Sequence, residues 1–368
     1  MAKDSKHADA PMHAKSPIHA QAPLFLGIEI GGTKLQLGVG PGDGTLAALD
    51  RFEVRPKLGA AGILEQIEAS ARVLIARHNV SAIGIGFGGP IDSRRGMVTK
   101  SHHVDGWERF ALVDWCRRML LLPATLQNDC DAAGLAEARF GAGRGRKVVL
   151  FVTVGTGIGG GLVIDGQIYR GNGHGAAEIG HLRPGLHADR SDQTVESLAS
   201  GWGIAAAAQA RLSDPISHAF IPLTSGLHRS TPDEVRQRLI ETEEAEEEYA
   251  ADLWDRCGGK ADQLTSYMVA QAAGEGNEVA REVVAHACQA LGWGIAQAVT
   301  LIAPEVVVVG GGVSLMDETL FLHPLRIEVE RYVFPPLIGT YEIVAAQLGE
   351  QVVVQGAVAA AADTFAAR

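Results

Sequence analysis

Leu24-Phe25-Leu26-Gly27-Ile28-Glu29-Ile30-Gly31-Gly32-Thr33-Lys34 runs on into Leu35-Gln36-Leu37-Gly38-Val39. An apolar run, a glycine-rich turn and a second apolar run read as strand, tight turn, strand. The pattern returns at Val148-Val149-Leu150-Phe151-Val152-Thr153-Val154-Gly155-Thr156-Gly157-Ile158-Gly159-Gly160-Gly161, followed by Leu162-Val163-Ile164. Glycines without Cβ let backbone N–H groups approach phosphate oxygens closely. Two such turns facing one another would hold a polyphosphate between them. The repeat points to a duplicated ATP-binding fold, not to a single dinucleotide-binding unit.

Thr33 adds a hydroxyl to the first turn and Lys34 a cation. The order Gly-Thr-Lys, with a strand after it, excludes a P-loop, which needs Gly-Lys-Ser/Thr and a helix. The competing reading is an ordinary hairpin turn. A formal Gly-x-Gly-x-x-Gly occurs at Gly155, Gly157 and Gly160, and again at Gly84, Gly86 and Gly89. A dinucleotide fingerprint must open a helix, with an acidic residue about twenty positions on. Leu162–Ile164 reads instead as a strand entering an Asp165-Gly166 turn, and Pro90 closes off the other match. The context favours a phosphate clamp. A third turn, Gly310-Gly311-Gly312, follows the valine run Val306–Val309.

Strand-like runs occur at Leu24–Ile30, Leu35–Val39, Ala82–Ile85, Ala124–Leu126, Val148–Val154, Gly161–Ile164, Val306–Val309 and Glu342–Ala345. Helix-like stretches occur at Ala60–His78, Leu112–Leu121, Asp131–Phe140, Val195–Leu212, Asn277–Leu301 and Gln351–Ala367. Hairpins combined with strand–helix alternation predict an α/β fold with mixed sheets. Asn277–Leu301 is amphipathic and ends before Pro304, a helix stop.

The chain has 368 residues, 46% hydrophobic and 20% charged, which suits a globular protein of about two domains. No apolar run approaches the ~20 residues that span a bilayer, so no membrane partner is expected. Met1–Pro23 lacks the apolar centre of a secretory signal and reads as a disordered tail. A formal net charge of −11 argues against nucleic acid as a partner. Cys116, Cys130, Cys257 and Cys288 form no Cys-x-x-Cys pair. Reduced thiols in a cytoplasmic protein are the expected state. The acidic stretch Glu241–Glu248 reads as a solvated helix or insertion, with partner binding as the alternative.

Gln127-Asn128-Asp129-Cys130-Asp131 closes an apolar run and precedes a helix. One reading is helix capping, worth ~1 kcal/mol; the other is a carboxylate at a cleft mouth acting as general base. Asp131 is as good a cap as Asp129, which leaves Asp129 for chemistry. The loop Gly171-Asn172-Gly173-His174-Gly175-Ala176-Ala177-Glu178-Ile179-Gly180-His181 supplies little apolar area yet carries a carboxylate and two imidazoles. Glu178 and His181, three apart, can point the same way. A carboxylate that accepts from two vicinal hydroxyls, beside an imidazole that donates and accepts, suits a sugar. A metal site from His174, Glu178 and His181, or plain surface residues, are the alternatives. His102 and His103 precede Asp105-Gly106-Trp107, where Trp107 is either an apolar platform for a sugar face or a core anchor.

Together these residues resemble the ROK family of sugar kinases and sugar-responsive repressors, within the actin/hexokinase/Hsp70 ATPase superfamily. Five elements occur in order: Glu-x-Gly-Gly-Thr-Lys, Gly-x-Gly-x-Gly-Gly-Pro-Ile-Asp over Gly84–Asp92, Asn-Asp with Gly-Thr-Gly-x-Gly-Gly-Gly after it, Glu-Ile-Gly-His, and Val-Gly-Gly-Gly-Val. The resemblance covers the chain from about Gly27 to the last helix. It implies a two-domain actin-like ATPase (ribonuclease H-like) α/β fold, with a mixed sheet in each domain and an interdomain cleft. Residues 24–125 with 348–368 would form the small domain. Residues 126–347 would form the large one, with an insertion around 212–262.

The implied activity is ATP- and Mg²⁺-dependent phosphorylation of a hexose, of glucokinase type, by a cytoplasmic homodimer. Asp129 would be the catalytic base. Asn128, Glu178, His181, His103 and Gly89 would contact the sugar. Gly31, Gly32, Thr33 and Lys34, with Gly155, Thr156 and Gly157, would face the phosphates. Gly310, Gly311 and Gly312 would lie beside the adenosine, and Glu29 would reach Mg²⁺ through water. Two departures from the family pattern stand out. Leu182-Arg183-Pro184-Gly185-Leu186-His187 replaces the cysteine-rich zinc loop of many members, so no structural zinc is expected. His103 stands where members often have Asn. The alternative within the family is a non-enzymatic sugar sensor or repressor, whose helix-turn-helix segment of roughly 60–80 residues is not expected in the 23 residues before the first strand.

Overall fold

The structure, a computed structural model, describes residues 22–101, 104–172, 175–185, 192–213 and 247–367. His102, His103, Gly173, His174, nearly all of the N-terminal tail and most of the acidic stretch lie outside them.

The first half of the chain gives β1 (Leu24–Ile30), β2 (Lys34–Gly40), β3 (Ala48–Glu53), α1 (Gly59–His78), β4 (Val80–Phe87), a short hairpin of β5 (Ile91–Asp92) and β6 (Met97–Val98), α2 (Leu112–Leu120), β7 (Ala124–Asn128) and α3 (Asp129–Phe140). The second half gives β8 (Val148–Val154), β9 (Ile158–Ile164), β10 (Gln167–Ile168), α4 (Val195–Ala199), α5 (Gly201–Ser213), helical residues 247–256 (α6), α7 (Ser266–Glu275), α8 (Glu278–Ile302), β11 (Val306–Gly310), α9 (Leu322–Tyr332), β12 (Glu342–Ala345) and α10 (Val352–Ala366).

The strands build two five-stranded mixed sheets, β3-β2-β1-β4-β7 and β10-β9-β8-β11-β12. In each, an antiparallel meander is followed by two parallel strands. The sequence repeat is therefore a repeat of topology, with each glycine turn at a corresponding place. Parallel pairing aligns Ile30 with Phe87 and Phe87 with Asn128. The segments that follow, Gly31, Gly88 and Asp129, leave one sheet edge side by side. Open α/β sheets bind ligands at the carboxyl ends of parallel strands.

The first sheet buries Ile28, Leu37, Ile83 and Ile85 together with Ile63 and Ile67 of α1 and Leu112 of α2. Its other face packs Phe25 and Ala82 on Val354, Val358 and Ala361 of α10. The second sheet packs Leu150, Val152, Val307 and Val309 with α7, α8 and α9, while α3 lies on its opposite face through Ala133 and Ala138. The touching pair α3 and α10 thus sits between the sheets. Missing side chains permit this closeness. A Cβ on Gly84 would stand 1.8 Å from Ala357 O, and one on Gly356 1.8 Å from Ala132 O.

Several elements differ from the sequence expectation. β3 (Ala-Leu-Asp-Arg-Phe-Glu) was not anticipated; as an edge strand it is polar and poorly buried. α9 was missed because Pro324 lies in it, but in the first turn proline removes no helical hydrogen bond. α7 is short and alanine-rich, with little pattern. The expected helix Val195–Leu212 breaks at Ser200, whose ψ is 169°. There Gly201 N–H donates to Gly155 O at 2.8 Å and Ser200 Oγ accepts from Gly203 N–H, so a tertiary contact and a fresh cap override helix propensity. α3 begins at Asp129, not Asp131, with Asn128 as its N-cap. Among the described residues no helix is long and apolar enough to cross a membrane.

Candidate active site

Asp129 occupies the first turn of α3. Asn128 Oδ1 and Asp129 Oδ1 both accept the N–H of Cys130, at 2.8 and 2.9 Å. Asn128 Nδ2 donates to Gly89 O at 3.2 Å. Gly89 has φ 152°, a conformation that costs a side chain dearly, and so turns its carbonyl toward Asn128. The free oxygen of Asp129 faces the first glycine turn. A Cβ placed on Gly88 would lie 3.2 Å from Asp129 Oδ2, 3.4 Å from Ile30 O and 3.6 Å from Gly31 Cα. One methyl group would thus touch the carboxylate and the turn together. Burial raises the Asp129 pKa, the Cys130 N–H opposes the rise, and the negative Glu178 adds to it. A base with a raised pKa is better matched to proton transfer near neutrality.

The first turn is braced from below. Glu29 is buried, with Oε1 3.2 Å from Lys34 Nζ and Oε2 accepting from Gln36 Nε2 at 2.7 Å. Burial pushes Glu29 up, Lys34 and Gln36 pull it down, and Asp129 pushes it up. Lys34, expected at the phosphates, is ion-paired to Glu29 here. Both Glu29 oxygens already accept. Gly31 N–H donates to Lys34 O and closes the turn, while Gly32 and Thr33 form its tip.

At the second turn, Gly155 N–H donates to Gly157 O at 2.9 Å and Thr156 is exposed. Gly310 pairs with Thr153 and Gly311 lies against Val154, so Gly310–Gly312 leave the same sheet end. Glu196 of α4 accepts from Ile158 N–H at 2.8 Å, and its Oε2 would be 2.6 Å from a Cβ on Gly157.

A shallow cleft opens beside Asn128, with Gly89, Ile91, Asp131, Arg170 and Glu178 in its lining. Gly160 and Gly180 let the Glu178 loop lie flat on β9, and Ala177 adopts φ 57° just before Glu178. Strained backbone of this kind clusters at functional sites. Glu178 reaches solvent, yet partial burial raises its pKa, His181 lowers it and Glu196 raises it. Glu178 thus feels both the His181 and the Glu196 charge. Trp107 is 1% exposed between Phe87 and Phe110, which makes it a core anchor and not a sugar platform. His103 lies outside the described residues. Among the described residues, no group of three His, Cys, Asp or Glu is placed to hold a metal ion.

Three residues of this region escaped the sequence reading: Glu196, Arg170, and Asp131 as more than a cap. Arg170 donates to Gln127 Oε1 at 2.8 Å. Asp131 is pushed up to about 7 from 3.8, chiefly by burial, with Arg170 opposing and Glu178 and Asp129 reinforcing. The folded chain therefore holds this proton where the unfolded chain has lost it. Stability falls as pH rises from about 4 to about 7. Asp131→Asn removes that dependence. Its melting temperature relative to wild type should climb across the window, as measured by scanning calorimetry at half-unit steps. A flat difference would refute the assignment.

The model of the ROK family matches residues 25–364. A glucokinase of Halalkalibacterium halodurans is 31% identical over 344 residues, covering 90% of this chain and 93% of that protein. The crystal structure of a ROK family glucokinase from Streptomyces griseus in complex with glucose and AMPPNP superposes with a TM-score of 0.70 at 31% identity, covering 92% and 99% of the two chains. A ROK family transcriptional regulator, a homolog of E. coli MLC, shares the fold with a TM-score of 0.68 at 18% identity, covering 92% of this chain and 78% of that one. The mixed α/β, two-domain actin-like architecture is thus common to kinases and regulators, and this chain belongs to the ROK family.

Proposed function

We propose that the chain is an ATP-dependent hexose kinase of glucokinase type, with Asp129 as its general base. The observation that carries this reading is that one point, a Cβ position on Gly88, has Asp129 Oδ2 at 3.2 Å and Gly31 Cα at 3.6 Å, next in the chain to Gly89 and Asn128, which line the cleft. There a carboxylate meets a glycine turn and a pocket rich in hydrogen-bonding groups. The 31% identical glucokinase and the glucose- and AMPPNP-bound structure support it.

In the proposed reaction Asn128, Glu178, His181 and Glu196 hold the sugar hydroxyls. The acceptor hydroxyl oxygen bonds to the γ-phosphorus, the bond to the bridging oxygen breaks, and the hydroxyl proton passes to Asp129. Phosphoryl transfer passes through a loose transition state, so positioning and charge stabilisation dominate. The turns at Gly31–Lys34 and Gly155–Gly157, closed by their own Gly31 and Gly155 N–H groups, would present their remaining N–H groups to the phosphates, with Gly310–Gly312 beside the adenosine. Bound with ATP, Mg²⁺ would neutralise phosphate charge. Glu29 would meet it through water only.

The proposed small domain comprises residues 24–125 and 348–368, extended here to Asn128, where the pairing of β7 with β4 ends. The large domain is the remainder up to residue 347. Cys116, Cys130, Cys257 and Cys288 are buried and unbridged, which suits the cytoplasm. A homodimer is the proposed assembly.

Purified protein with ATP, Mg²⁺ and a hexose panel is expected to release ADP fastest with glucose. Turnover no higher than in Asp129→Ala for every sugar would overturn the assignment. Sugar binding without turnover would move the chain to the sensor class.

A further inference from the structure

Glu137 lies two turns beyond Asp129 on the same helix and is fully buried. A carboxylate taken out of water is costly unless its oxygens are filled with hydrogen bonds. Here they are filled by backbone alone. Oε2 accepts from Ala142 N–H at 2.8 Å, and Oε1 accepts from Gln347 and Leu348 N–H at 2.8 and 2.9 Å. Three converging donors call for an acceptor-only group with two oxygens, which Gln is not. Gly141 makes the room, since a Cβ there would stand 2.0 Å from Glu137 Oε2.

Gln347 and Leu348 open the short link from β12 to α10. At the far end of that link, Glu350 O accepts from Gln36 Nε2 at 2.9 Å and from Lys34 Nζ at 3.2 Å. Gln36 Nε2 and Lys34 Nζ also hold Glu29 beneath the first glycine turn. The link is therefore tied at one end to the helix that begins with Asp129. At the other it is tied to the strand pair that carries the turn.

We propose that Glu137 is a positioning residue: through the 347–350 link it holds the first glycine turn in register with Asp129 for phosphoryl transfer. This rests on the hexose-kinase reading above. A misplacement of ~1 Å between reacting groups can cost ~10²-fold in rate.

Glu137→Gln keeps the shape and presents an amide donor to backbone donors. It is expected to lower kcat by about 10–100-fold with hexose KM within about twofold, and to raise amide exchange at residues 31–36 on the other sheet. Val299→Ala, a buried α8 substitution, supplies a comparison of lowered melting temperature with kcat retained. Wild-type kcat in folded Glu137→Gln, or faster exchange confined to 141–142 and 347–348, overturns the proposal. If Glu137→Gln does not fold, Gln36→Leu removes the shorter of the two ties at the other end, leaving only Lys34 Nζ on Glu350 O, and must also lower kcat; wild-type kcat there overturns the proposal equally. The exchange comparison needs no substrate, so a protein that turns over no sugar refutes the kinase reading while still deciding this one.

Discussion

Asp129→Ala is expected to lower kcat by about 10²–10⁴-fold, the usual contribution of a positioned base, while the affinity for hexose changes little. The asymmetry follows from the geometry. Oδ1 is engaged with the Cys130 N–H and keeps the carboxylate in place; Oδ2 faces Gly88 and Gly31. The sugar pocket draws on Asn128, Glu178 and their neighbours, which the substitution leaves standing. Asp129→Asn should be nearly as inactive, because an amide keeps the hydrogen bond to Cys130 but cannot take a proton. Asp129 acts only when ionised, and burial raises its pKa, so kcat/KM should decline on the acid side at a pH above the ordinary 3.8. That limb should vanish from the residual activity of the alanine variant. A coupled ADP assay gives the rates and isothermal titration gives the affinity. A kcat within threefold of wild type would remove Asp129 from the mechanism.

The glycine turns and the apolar strands were legible because they are local: a run, a turn and a run say the same thing whatever surrounds them. Asn128 and Asp129 were legible as candidates because they close an apolar run just before a helix, and Glu178 because its loop supplies little apolar area. Glu196 was not. It follows Thr194 and Val195 in a stretch that reads as one helix, and only the break at Ser200 and the contact with Ile158 N–H bring it to the second turn. Asp131 and Arg170 are ordinary charged residues until the fold sets them around one cleft. Glu137 sits in an alanine-rich helix, and two of its three backbone donors lie some two hundred residues away. Gly84 and Gly86 were noticed as a formal nucleotide motif. Their role is packing: Gly84 admits the backbone of α10, and Gly86 admits Val353 and Ala132. Sequence spacing alone does not separate a glycine that meets phosphate from one that meets a helix.

The largest loss of stability is expected at that helix crossing. In Gly84→Ala the new Cβ would stand 1.8 Å from Ala357 O, and in Gly356→Ala it would stand 1.8 Å from Ala132 O. Both obstacles are backbone atoms, which do not step aside as a side-chain tip does. Relief requires α10 to shift from the first sheet or from α3, and each shift opens apolar contacts on the other side, such as Val354 and Val358 against Phe25. Overpacking of this kind costs about 3 kcal/mol, near the upper end of its usual range, and lowers the melting temperature by about 4 °C. Gly274→Ala is the matching comparison. It lies in α7, where the nearest atom to a new Cβ is Leu320 Cδ1 at 3.9 Å. Helix propensity alone then acts, and the variant should gain about 0.5–1 kcal/mol. Thermal and urea denaturation of the three variants measures both signs. If Gly84→Ala and Gly356→Ala melt with wild type, α10 does not pack as closely on β4 and on α3 as described. The placement of Asp129, which heads one of those helices, would then have to be redrawn.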